Sequence, residues 1–163
     1  MHTTPTIHFR EAVREDIPLI LDFVKRLAIY EHLEDQVTAT PALYEQWIFN
    51  QKVAQVRFAV ADGKEVGFIL YFHNYSTWLG KGGIYLEDLF VLPEYRGRGI
   101  GKALLTHLAS IAVEEGCGRM EWSCLDWNEP SIRFYRSLGA VPMEEWTVYR
   151  LTGDALQKLG SQQ

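Results

Sequence analysis

The segment Glu94-Tyr95-Arg96-Gly97-Arg98-Gly99-Ile100-Gly101-Lys102 constrains this chain more than any other. It follows an apolar, β-rich run, Ile84 to Leu92. It leads into a helical stripe of Leu104, Leu105, Leu108, Ile111 and Ala112, which Gly116 and Gly118 close. Arg119 to Leu125 then reads as a returning strand. Strand, helix and strand in that order form a parallel crossover. Alternate glycines let the backbone turn tightly and approach a ligand closely. Successive N–H groups and the positive end of the next helix make a cradle for an anion. Arg96, Arg98 and Lys102 add full positive charges, so a pyrophosphate is the natural guest. The spacing is not the dinucleotide-binding G-x-G-x-x-G, and Ala103 stands where a Walker A loop needs Ser or Thr. From the glycines alone, a strand-to-helix turn without a ligand stays open.

The rest of the pattern switches period repeatedly. Ile7 to Arg10 alternates as a strand. Glu15-Asp16-Ile17-Pro18 opens a helix that runs to about Tyr30. Glu31 to Thr40 is a polar, acidic loop, and Pro41 starts a shorter helix to Asn50. Val53 to Ala61 and Glu65 to Phe72 are strands joined at Asp62-Gly63-Lys64, a hairpin signal. Asn74 to Gly83 reads as a loop. Pro130 to Leu138 is a helix, Trp146 to Leu151 a strand, and Gly153 to Leu159 a last helix. The predicted order as far as Leu151 is β-α-α-β-β-β-α-β-α-β. It implies an α/β fold with a mixed, mostly antiparallel twisted sheet and helices on both faces. One domain over residues 1–163 is expected, with its core at about 7–159.

Composition narrows the function classes. The chain is 163 residues with 47% hydrophobic and 13% aromatic content, enough for a core and incompatible with disorder. No apolar run approaches the ~18 residues of a membrane span. Met1 to Arg10 is polar and then strand-like, so no signal peptide and no membrane partner are expected. A net charge of −5 argues against a nucleic-acid partner. Cys117 and Cys124 lack zinc-site spacing, and the five His, at 2, 8, 32, 73 and 107, show no ligand spacing. The expectation is no metal, two reduced thiols and a cytoplasmic location.

Arg96-x-x-Gly99-x-Gly101 resembles the [RQ]-x-x-G-x-[GA] signature of the GNAT-type N-acetyltransferases, where this turn binds the pyrophosphate of acetyl-CoA. The element order is similar from Ile7 to about Leu159. Tyr85-Leu86-Glu87-Asp88-Leu89-Phe90-Val91 resembles the diamine acetyltransferase branch, whose members acetylate spermidine, spermine or thialysine. So do Leu125 to Ser131, Phe134-Tyr135, and Leu27 to Glu31 with Asp35-Gln36-Val37. The loop at Tyr75 to Trp78 and the segment Leu125 to Asn128 are closer to the thialysine-acetylating members. The resemblance implies that the backbone of Leu89, Phe90 and Val91 lines the acetyl and pantetheine arm. It implies that Arg96, Gly97, Arg98, Gly99, Ile100, Gly101 and Lys102 hold the pyrophosphate. Asn128, Glu129, Pro130 and Ser131 would contact the cofactor further along, and Tyr135 would sit beside the sulfur. Tyr30, Glu31, Glu87, Glu121, Trp122 and Ser123 would face a small amine. A homodimer is implied as well, with Trp146 to Leu151 as a candidate contact.

The chemistry follows from elementary acidities. An alkyl ammonium of pKa ~10.4 is mostly protonated at neutral pH and must lose a proton before it attacks a thioester. Glu87 is the candidate substrate-side carboxylate. Strand alternation puts neighbouring Asp88 on the other face, in a different role. A backbone N–H near Phe90 or Val91 would stabilise the oxyanion. The resemblance implies that Tyr135 acts as general acid toward the leaving thiolate. By spacing alone, Tyr135 also fits packing with Ile132 and Leu138, and the acidic loop at Glu31 fits simple solvation. Two other functions stay open: a catalytically silent CoA-binding regulator, and a protein or peptide N-acetyltransferase.

Overall fold

The computed structural model describes residues 6–163. His2 and the first half of the Met1–Arg10 reading lie outside the described residues. The chain divides into two compact units, 1–123 and 124–163.

In the first unit, β1 (Ile7–Glu11), β2 (Gln55–Ala61), β3 (Lys64–Ser76), β4 (Lys81–Val91) and β5 (Met120–Trp122) form one sheet in chain order. Neighbours are antiparallel except β4 and β5, which are parallel. The crossover between those two contains α3 (Ile100–Glu114), as the pattern predicts. Helix α1 (Ile17–Tyr30) and the short α2 (Pro41–Tyr44) precede β2.

Strand alternation splits the core between two faces. Phe68 and Phe90 pair across β3 and β4. They join Ile20 and Phe23 of α1 with Val56, Phe58 and Val60 of β2 in one buried cluster. The Phe23 ring lies 5.6 Å from Phe68 and 5.7 Å from Phe90. Gly67, beside Phe68, faces the other way, where a Cβ would come 3.3 Å from Leu104 of α3. Arg10 ties β1 to the start of α1, donating to Asp16 at 2.7 Å and to Glu65 at 2.9 Å. The bond from Arg10 to Asp16 holds that carboxyl below its usual range.

Several elements depart from the sequence expectation. The segment 74–83 is mostly strand. β3 runs on to Ser76 and β4 starts at Lys81, with Asn74 facing Gly83 and Tyr75 facing Gly82. Glycine there marks close backbone approach rather than a loop. A Cβ on Gly83 would meet Asn74 Oδ1 at 2.7 Å and Arg119 O at 3.0 Å. The hairpin at Asp62-Gly63 has a two-residue turn, with φ of 53° and 73°, and Lys64 already belongs to β3. The helix at 41–50 changes after Tyr44 to a wider π-type turn over Glu45–Asn50. The returning strand keeps only Met120–Trp122 of the expected Arg119 to Leu125.

The second unit holds α4 (Glu129–Ser137) and α5 (Gly153–Gly160). Asn128 caps α4 by accepting the Ser131 N–H at 3.4 Å. Gly139, at φ 91°, follows its end. Trp146 to Leu151 is not a strand. Its β-prone residues need a ladder to complete, and this unit contains no strand to supply one.

The Gly67 position yields a stability test. A Cβ there would sit 2.7 Å from the Phe90 carbonyl oxygen, which is backbone and cannot rotate away. Gly67→Ala should therefore lower unfolding stability by about 1–3 kcal/mol, read as a lower urea midpoint with an unchanged slope.

Candidate active site

The turn from β4 into α3 is built on two positive φ angles. Gly97 adopts 75° and Gly99 adopts 79°, and a Cβ on either would meet nothing within 4 Å. Glycine is required there for backbone handedness, not for space. Gly101 differs, since its Cβ would make ordinary contacts with Leu89 at 3.9 Å and Val91 at 4.0 Å. Gly99 is the N-cap of the 15-residue α3, with no side-chain cap and no acid in the first turn. The first N–H groups of the helix are thus offered to an outside acceptor, with no carboxylate of that turn competing.

Arg96 is oriented from two sides. Its Nε donates to the Val91 carbonyl at 3.1 Å. Its guanidinium lies 5.1 Å from the Tyr30 ring and 5.6 Å from the Phe90 ring. Arg98 lies 5.2 Å from the Tyr95 ring. Ile100 is buried as the first residue of α3, while Lys102, two residues on, is exposed. A cleft beside these turns is lined by Gly99, Lys102, Thr106, His107 and Phe9. Uncapped N–H groups, two obligatory glycines and three cations fit the diphosphate of a coenzyme A thioester.

Strand β4 supplies the second part. Its parallel pairing to β5 ends at Leu86 with Trp122, whereas its antiparallel pairing to β3 continues to Val91. From Glu87 to Val91, the strand therefore has a ladder on one side only. The backbone of Leu89, Phe90 and Val91 lies on this half-open stretch. Here the structure modifies the expectation for Glu87 and Asp88. Leu70 pairs with Asp88 and Tyr71 with Leu86, so Glu87 is the extra residue of a β-bulge. Simple alternation fails at a bulge, so Tyr85 and Asp88 come to share a face. Tyr85 stacks on Phe72 at 5.0 Å.

Glu87, Asp88 and Glu31 consequently share one electrostatic neighbourhood. Burial, then Glu87, then Glu31, push the Asp88 carboxyl up to about 7. Burial, then Glu87, raise Glu31. Burial, then Asp88, raise the Tyr44 phenol of α2. The sequence pattern does not single out Tyr44, and strand alternation sets Asp88 apart from Glu87. Adjacent carboxylates inside an apolar strand were the available signal.

The remaining expected residues fall into separate groups. Tyr30 lies under Arg96. Glu121 is engaged by Arg119 at 3.2 Å and by Asn74 at 3.3 Å. Ser123 shares a 2.8 Å hydrogen bond with the Tyr85 hydroxyl. Trp122 is the last residue paired in β5. In the second unit, Asn128, Glu129, Pro130 and Ser131 form the start of α4. Tyr135 lies one turn on, its ring 5.6 Å from that of Phe134.

The family profile and the relatives that match this chain define an acyl-CoA-dependent N-acetyltransferase. The chain belongs to the acetyltransferase (GNAT) family, whose profile matches residues 21–140. It is 36% identical over 165 residues to a thialysine N-epsilon-acetyltransferase of Bos taurus, covering 94% of this chain and 96% of that protein. It is 50% identical over 93 residues to L-ornithine N5-acetyltransferase NATA1 of Arabidopsis thaliana, covering 57% of this chain and 41% of that one. An integron cassette protein from the mobile metagenome of V. cholerae superposes with a TM-score of 0.79 at 29% identity, covering 98% and 99% of the two chains. No helix among the described residues is long and apolar enough to cross a membrane.

Asp88 makes stability depend on pH in an unusual direction for a carboxylate. An unfolded Asp titrates near ~3.9, and the folded group titrates at about 7. Between those values the folded state holds a proton that the unfolded state has released. Stability contributed by this group is therefore full below the lower value and falls as pH rises toward the upper one. Urea midpoints measured from pH 5 to pH 8 should fall more steeply for wild type than for Asp88→Asn. Parallel profiles would remove the assignment.

Proposed function

We propose that this protein transfers the acetyl group of acetyl-CoA to a primary amine of a small cationic substrate, a diamine, a polyamine or a lysine-like amine such as thialysine. The observation that carries this reading is the Glu31, Glu87 and Asp88 cluster on the strand that leads into the diphosphate cradle. Several carboxylates in one neighbourhood favour a substrate with more than one positive charge. The relatives support the same chemistry, since thialysine and ornithine both present a side-chain amine on a charged small molecule.

Bound acetyl-CoA would supply the thioester carbonyl that the amine attacks. Arg96, the N–H groups of Gly97 to Lys102, and Arg98 would hold its diphosphate. Leu89, Phe90 and Val91 would line its acyl arm and offer an N–H to the developing negative charge. Asn128, Glu129, Pro130 and Ser131 would contact it further along. Glu87, Glu31 and Tyr30 would face the ammonium, with Glu121, Trp122 and Ser123 on the substrate side. A proton acceptor is most effective when its pKa lies near the working pH. Asp88, at about 7, meets that condition and would take the proton that makes the amine nucleophilic. Tyr135 would give a proton to the leaving thiolate. We take residues 1–163 as one catalytic domain of a cytoplasmic homodimer. Its subunit contact would be Trp146 to Leu151.

Thiol release across diamines, polyamines, thialysine, ornithine and a lysine peptide tests the reading. Saturable release with a small dibasic amine is expected. Acetyl-CoA binding without release for any amine would instead support a silent CoA-binding protein. Tyr135→Phe should lower kcat about 10²-fold and leave the acetyl-CoA Kd within about twofold. An unchanged kcat would remove Tyr135 from the acid role.

A further inference from the structure

Three side chains that the sequence scatters meet on the first unit. His73 lies toward the end of β3, opposite Ile84 of β4. Glu115 is the C-cap of α3, and Cys117 follows it by two residues. His73 Nε2 and a Glu115 carboxylate oxygen are 2.7 Å apart, and Cys117 Sγ lies 4.0 Å from that oxygen. One ligand atom from each residue falls within 4.8 Å of the others. A tetrahedral ion with bonds of ~2.0–2.3 Å sets its ligand atoms about 3.3–3.6 Å apart. The observed separations lie on either side of that range.

The backbones beneath these side chains are fixed. The Cys117 N–H donates to the Ala112 carbonyl at 2.8 Å and the Gly116 N–H to the Val113 carbonyl at 3.1 Å. With Gly116 at φ 75°, this is the paired hydrogen-bond closure of a helix end. It holds Glu115 and Cys117 at set positions, as the β3–β4 ladder holds His73. Rigid elements are what a metal site needs beneath its ligands.

The local electrostatics also call for a cation. Helix α3 closes on Glu114 and Glu115, with no basic residue in its last turn. The C-terminal end of a helix carries partial negative charge, so two carboxylates there are unfavourably placed. A bound dication reverses that balance. The His73 and Glu115 side chains remain 39% and 45% exposed, which leaves an entry path and an open coordination position.

We infer that His73, Glu115 and Cys117 form a site for a borderline-soft divalent transition ion such as Zn²⁺, with water in the fourth position. Imidazole, thiolate and carboxylate together favour such an ion over Mg²⁺ or Ca²⁺. Binding uses neutral His73 through Nε2, the Glu115 carboxylate and the Cys117 thiolate, and the thiol proton passes to solvent. The bound ion clamps the end of α3 to β3, so the ion stabilises the first unit.

Cobalt titration of the full chain, with a phosphine reductant in place of dithiols, tests the site. One equivalent of Co²⁺ should give thiolate-to-metal charge-transfer absorption that Zn²⁺ displaces. Cys117→Ser should abolish that absorption and Cys124→Ser should keep it. His73→Ala should weaken binding at least about tenfold, on the scale of lost metal-site contacts. Zn²⁺ should raise the Tm of wild type and not of Cys117→Ser. Absence of the band in folded wild-type protein, or its loss only with Cys124→Ser, would overturn the assignment.

Discussion

Strand β4 is held on one flank and released on the other. Its ladder to β3 continues to Val91, while its parallel partner β5 leaves it after Leu86. An extra residue enters at Glu87, at the point where the partner is lost. The consequences run in both directions along the chain. Toward the C-terminal end, Leu89 to Val91 keep a backbone edge that no strand of the sheet occupies, and Val91 delivers its carbonyl to Arg96. Toward the N-terminal end, the changed parity lets Tyr85 stack with Phe72 and brings Asp88 to the same face. A regular strand would not supply the second.

Opposite electrostatic demands are met within a few residues of one strand. The cradle needs uncompensated positive character, and Gly99 leaves the helix end uncapped by any side chain. In the proposed reaction the carboxylate cluster has to accept a proton near neutrality. Burial of Asp88 beside two other acids raises its affinity for one. A basic side chain inserted among those acids would lower the pKa of Asp88 and make it a weaker proton acceptor.

Parts of this architecture are legible in the sequence because a local rule determines them. Left-handed backbone at 97 and 99 demands glycine, and Asp62-Gly63 demands a tight hairpin. The apolar stripe of α3 follows from helical period. Other parts depend on partners that no local window contains. The bulge at Glu87 exists only relative to Leu70 and Tyr71. Gly83 resembles loop chemistry until Asn74 and Arg119 press against it. Trp146 to Leu151 has strand-like residues and no ladder within its unit. His73 and Cys117 look unrelated until the crossover returns the chain past β3.

Arg96 links two ends of the molecule's chemistry. Its guanidinium rests on Tyr30, the last residue of α1, and the next residue is Glu31 of the acidic cluster. A phosphate drawn to that guanidinium would act, through one aromatic contact, on the helix terminus next to Glu31. Donor and acceptor would then not arrive independently, and the first guest would help shape the berth of the second.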